Sequence, residues 1–173
     1  MKALLFGFIL SVTLLMVSTV WADEYNAHLD GHFGFGVPSF SGDQSTPGRM
    51  VSLSLSHQPF NGYRPFFYRL ELGGWSTENF DSGSRSFFAD AGFGLRFDWN
   101  YFYIMGGPGM AWISHTNDFA STPYEFTMTA EIGLKVQDRY SLGVFYKHFS
   151  NGDTKPPNKG LDYMGLSIGF WNW

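Results

Sequence analysis

His148 and Ser150 stand two residues apart, and Asp162 follows them across a polar loop. An imidazole, a hydroxyl and a carboxylate are the side chains from which a serine hydrolase site is assembled. The carboxylate orients and balances the imidazole, and the imidazole takes the hydroxyl proton as the oxygen attacks an ester. Pro156 and Pro157 break the intervening stretch, so residues 145–165 read as the end of one strand, a loop and the start of another. A hairpin of that kind pairs the two strand ends and brings Asp162 beside His148. Side chains at i and i+2 of a strand lie about 7 Å apart, so contact between His148 and Ser150 requires local bending.

The face these residues occupy narrows the chemistry. Leu142, Val144 and Tyr146 alternate with Ser141, Gly143, Phe145 and Lys147, and continuing the alternation puts His148 and Ser150 on the apolar set. Met164, Leu166, Ile168 and Phe170 alternate with Tyr163, Gly165, Ser167 and Gly169, and running that pattern backward puts Asp162 on the apolar set too. The same period of two recurs from the mature N-terminus onward. Phe33, Phe35 and Val37 alternate with His32, Gly34 and Gly36, Val51, Leu53 and Leu55 with serines, and Tyr68, Leu70 and Leu72 with Arg69, Glu71 and Gly73. Further runs cover residues 89–98 and 126–136. Only residues 101–113 are blurred, where Pro108 predicts a bulge or a weakened ladder.

In a soluble sandwich the face opposite the apolar one is solvated and rich in Lys, Glu and Thr. Here it is Gly, Ser and a nearly balanced set of charges: Arg69, Glu71, Asp90, Arg96, Glu131, Lys135 and Lys147. Small residues and matched charges suit the narrow lumen of an eight-stranded barrel, which side chains fill. The fold expected is therefore all-β, an eight-stranded antiparallel transmembrane β-barrel whose large apolar residues face lipid.

Composition agrees. Aromatic residues make up 20% of the 173 and charged residues only 15%, with 21 glycines, a balance more typical of outer-membrane barrels than of water-soluble domains. No cysteine is present, which excludes disulfides and thiolate metal sites. A formal net charge of −4 without a basic stripe argues against nucleic acid as a partner. Met1 and Lys2, the apolar run 3–17 and Val20-Trp21-Ala22 read as a signal peptide, residues 1–22, cleaved after Ala22. Residues 23–173 then form one barrel domain. Trp99-Asn100 and 137–139 read as short periplasmic turns, and 38–48, 76–84, 114–123 and 151–160 as long outer loops. The connection 58–64 is long for a periplasmic turn. Trp99, Tyr101, Tyr103, Trp171 and Trp173 fit an interfacial aromatic girdle.

Polar groups on the lipid side of a barrel are costly unless they serve something, and a site there meets only lipid. The plainer reading is that His148 and Ser150 are interfacial residues of a non-enzymatic barrel. His148-Phe149-Ser150-Asn151, followed by Asn158-Lys159-Gly160-Leu161-Asp162, resembles the C-terminal signature of the PagL family of lipid A 3-O-deacylases. The resemblance implies an outer-membrane enzyme that removes the ester-linked 3-position acyl chain of lipid A by a triad on the outer surface of the barrel. It makes His148 the general base and Ser150 the nucleophile, with Asn151, the backbone N–H of Gly152 and Asn158 at the oxyanion or substrate. The family has Glu where this chain has Asp162, shorter by one methylene.

No cofactor or metal is called for. The partners expected are lipid A (lipopolysaccharide) and outer-membrane lipid, with a homodimer left open. The rival reading is a small barrel of the OmpA/OmpX type serving adhesion or surface integrity. Other candidates are weaker. His28 and His32 read as structural, His57 and His115 as solvated, and Asp43, Asp81 and Asp118 lack the spacing of a calcium loop. Lys147 is expected to pair inside with Glu131 or Glu71. Lys155 and Lys159 lie in the loop above the site, within the reach of lipid A phosphates.

Overall fold

The alternation of the sequence becomes an alternation of burial, with its usual sense reversed. On neighbouring positions of two paired strands, Leu53 and Leu72 are 62% and 67% exposed while Ser52 and Glu71 are buried. The structure, a computed structural model, describes residues 27–38, 48–59, 65–76, 85–137, 139–157 and 159–172. They form β1 (Ala27–Gly36), β2 (Arg49–His57), β3 (Phe66–Ser76), β4 (Arg85–Trp99), β5 (Phe102–Ile113), β6 (Tyr124–Val136), β7 (Tyr140–Ser150) and β8 (Leu161–Asn172). Each strand pairs antiparallel with the next, and β1 pairs with β8 to close the barrel. Strands of 9 to 15 residues are long enough for the roughly 9–11 that a tilted strand needs to cross a bilayer. Closure leaves no strand edge unpaired, which a structure facing hydrocarbon requires.

Two layers fill the lumen. Toward the rim that carries the long loops, Trp75, Phe88, Phe149 and Tyr163 pack ring against ring, joined by Met50, Ile113, Phe145 and Leu161. Beneath them lies a charge network. Lys147 Nζ donates to Glu71 Oε2 and to Asp90 Oδ2, each at 2.7 Å. Arg69 Nη2 donates to Asp90 Oδ1 at 3.2 Å. Two cations thus face two anions, which is what makes ionised groups tolerable in a dry interior. Further down, Glu131 accepts from Ser167 at 2.7 Å and from Tyr103, and pairs with His32 at 3.3 Å. Arg96 and Lys135 close on Asp98 at 2.8 and 2.7 Å.

Most of the expected placements hold, and several do not. Lys147 pairs with Glu71 as expected but takes Asp90, not Glu131, as its second partner. His28 and His32 have carboxylate neighbours in the lumen, His28 Nδ1 lying 2.9 Å from Asp30. Tyr103 is not a girdle residue. Its position puts it inward, where its ring lies under the Arg96 guanidinium and its hydroxyl meets Glu131. His57 is buried at the end of β2 and not solvated, whereas His115 is exposed. Around Pro108 the β4–β5 ladder is interrupted, and the register is the same on both sides, so the proline weakens the ladder without adding a bulged residue. The turns after β4 and β6 are short. The signal segment 1–22, Asp43, Asp81, Trp173 and most of the 58–64 connection lie outside the described residues.

Replacing Lys147 with Met keeps the volume but removes the cation that binds both Glu71 and Asp90 most closely. Such a break costs about 3–5 kcal/mol. The expected outcome is a lower urea midpoint for loss of the heat-modifiable folded band on gels.

Candidate active site

The end of β7 turns its side chains alternately in and out, and the two inward ones hold it in place. Lys147 is tied to the charge network, and Phe149 is fully buried in the aromatic layer. Between and beyond them, His148 and Ser150 project from the outer wall, both partly exposed. Asp162, on β8, sits directly opposite His148 in the register. In antiparallel strands opposed side chains lie about 5 Å apart at Cβ, close enough for a short carboxylate to reach. Asp162 Oδ1 lies 2.8 Å from His148 Nδ1, and the carboxylate is fully covered while the imidazole is 28% exposed. With Nδ1 committed to the carboxylate, Nε2 is the nitrogen left for proton transfer.

Ser150 ends β7 beside Phe126 of β6, and the backbone N–H of Gly152 donates to its Oγ at 3.1 Å. Gly152 adopts a left-handed conformation, φ +62°, which lets the chain reverse above the serine. Gly160, φ +69°, enters β8 from the other side of the loop, and a Cβ there would stand 3.1 Å from His148 Cε1. Glycine at 160 therefore permits both the backbone conformation and the position of the ring.

The model for the family described as lipid A 3-O-deacylase (PagL) matches residues 7–171. The chain belongs to that family. As a PagL-family member it is an enzyme, a carboxylic ester hydrolase on an outer-membrane β-barrel. Among curated proteins, none matches it. Among solved structures, it is similar to the outer membrane enzyme PagL, with 22% identity, a TM-score of 0.60, and coverage of 82% of this chain and 97% of that one. It is also similar to Neisserial surface protein A (11% identity, TM-score 0.57, 87% and 98% covered). The Yersinia pestis outer membrane protein Ail is similar at 14% identity and a TM-score of 0.52, with 85% and 99% covered. At these identities the likenesses establish the barrel and nothing finer.

Not every residue expected at the PagL-type site gathers there. The Asn151 carboxamide follows the strand's alternation inward and is buried. Its Nδ2 donates to Ser121 Oγ at 2.7 Å and to the Lys155 carbonyl at 2.6 Å, so both of its N–H groups are engaged in tying the 114–123 and 151–160 loops together. The side chain is a strut and not an oxyanion donor in this arrangement. Asn158 lies outside the described residues. Lys159 Nζ lies 5.5 Å from the centre of the Phe119 ring, and Lys155 is exposed. One residue at the site was missed from sequence. Tyr146, two positions before His148 on the same outer face, donates its hydroxyl to the same Asp162 Oδ1. Its parity was legible, but a tyrosine on a barrel's outer wall reads as a lipid anchor.

Replacing Gly160 with Ala forces a non-glycine residue into the left-handed region and presses a methyl against the imidazole. The expected result is a folded barrel whose deacylation rate falls about tenfold through displacement of the His148 ring. Gel mobility and product mass, followed in parallel, check it.

Proposed function

We propose that this enzyme removes the ester-linked acyl chain at position 3 of lipid A through Ser150, His148 and Asp162 on the lipid-facing wall. The observation that carries the reading is the His148–Asp162 contact at 2.8 Å, on the outer face two residues from a serine. An ion pair on the outer face plays no part in the charge network of the lumen.

On this reading Ser150 is the nucleophile and His148 the general base. His148 Nε2 takes the proton of Ser150 Oγ as that oxygen bonds to the ester carbonyl carbon. Asp162 stabilises the imidazolium that forms. The negative charge that builds on the carbonyl oxygen is met by backbone N–H groups of the turn, Gly152 first among them. The C–O bond to the sugar then breaks, and His148 returns the proton to the leaving alkoxide. Water entering from the headgroup side, activated by the same imidazole, attacks the acyl-Ser150 ester, releasing a fatty acid and restoring the serine. The shorter carboxylate of Asp162 serves because it lies directly across the strand pair from His148. Lys155 and Lys159, in the loop beside the site, are suited to the phosphates of lipid A. Residues 1–22 act as the export signal, so the membrane form begins at Asp23.

Lipid A from cells expressing the wild type is expected to be lighter by one hydroxyacyl chain, and Ser150→Ala to lose that species in mass spectra. A non-enzymatic barrel of the OmpA/OmpX type gives the same spectrum with and without the substitution. Asp162→Asn keeps the shape but not the charge that holds the imidazole. A fall in kcat of about 10³-fold or more is expected with purified enzyme in detergent.

A further inference from the structure

We propose that Tyr146 is a fourth member of the site, a positioning residue that holds the Asp162 carboxylate ionised and aimed at His148; this rests on the triad reading above. Tyr146 stands opposite Met164, one diagonal step from Asp162, which is itself opposite His148. From there the phenol reaches across the strand pair and donates to Asp162 Oδ1, the oxygen that also accepts from His148 Nδ1. Two donors converge on one carboxylate oxygen from two consecutive outward positions of β7.

The need for a second donor comes from where the carboxylate lies. Asp162 is on the outward set of β8 yet fully covered, so water does not solvate it from the lipid side. An ionised carboxylate in such surroundings is costly and tends to take up a proton unless donors surround it. A protonated Asp162 no longer balances an imidazolium. The Tyr146 hydroxyl supplies a charge-assisted hydrogen bond, stronger than a neutral one. The side chain is short as well. A fixed phenol at one oxygen removes the rotational freedom that this short carboxylate retains. A girdle tyrosine would turn its hydroxyl to water and headgroups. This one turns it onto a buried acid.

The test separates this role from packing and from the triad itself. Tyr146→Phe keeps the ring and removes the donor. Purified enzyme with lipid A in detergent is expected to lose about tenfold in kcat with KM within about twofold, the size of one charge-assisted hydrogen bond, and to keep its heat-modifiable folded band. In an Asp162→Asn background the same substitution is expected to cost no more than about twofold, because the acceptor's charge is already gone. Wild-type kcat in Tyr146→Phe, a loss that appears in KM alone, or a full tenfold further loss in the Asp162→Asn background each overturns the proposal. Ser150→Ala run alongside distinguishes the two levels. If it retains activity, the triad reading fails, whereas a dead Ser150→Ala beside an unimpaired Tyr146→Phe removes only the tyrosine.

Discussion

The ammonium of Lys147, held between Glu71 and Asp90, is the constraint on which the arrangement of the site depends. A strand has two faces, and which residues fall outward is decided by what pulls its other face in. At the end of β7 that pull is a buried ion pair followed two residues later by Phe149 in the aromatic layer. With both inward positions occupied by groups that have nowhere else to go, a slip of one residue would drive a lysine into lipid and a histidine into the cation site. The chemistry on the outside is registered by electrostatics on the inside. Conventional packing logic is partly inverted here, since an ion-pair layer shares the centre with an aromatic one while large apolar side chains cover the periphery.

The site is built where two environments meet. His148 and Ser150 occupy the outer wall close to the rim with the long loops, partly exposed, while Asp162 is fully buried and bound by both His148 and Tyr146. Burial sharpens every electrostatic interaction that the carboxylate makes. The loops contribute rigidity more than chemistry. Asn151 bridges Ser121 and the Lys155 carbonyl, Ser121 in turn donates to the same carbonyl, and the turn that carries the Gly152 N–H is thereby fastened to the neighbouring loop.

Much of this was legible in the residues, because a period of two is a direct readout of a strand's two faces. The barrel, its strand count, the outward placement of His148, Ser150 and Asp162, and the pairing of the last two strands all follow from alternation. What alternation does not carry is the partner of a side chain across the lumen. Lys147 meets Asp90 from β4, on the opposite side of the barrel, and no spacing along the chain encodes that contact. Tyr103 was misread for the same reason: aromatic type suggested the interface, while its inward parity and the Glu131 carboxylate decided otherwise. Asn151 was placed at the oxyanion by the family resemblance, whereas its parity points inward. Tyr146 went unnoticed because its role depends on a diagonal neighbour on another strand.

The filled lumen bears on how material moves. Aromatic rings close one half and ion pairs the other, among the described residues, and nothing of the size of a solute or a fatty acid passes between them. The wall of this barrel is an anvil and not a conduit. If the proposed site on β7 and β8 is the catalytic one, a lipid reaches it sideways, by drifting within its own leaflet. Traffic at the enzyme is therefore governed by the fluidity and crowding of the surrounding bilayer, and the permeability barrier of the membrane is left intact while its lipids are trimmed.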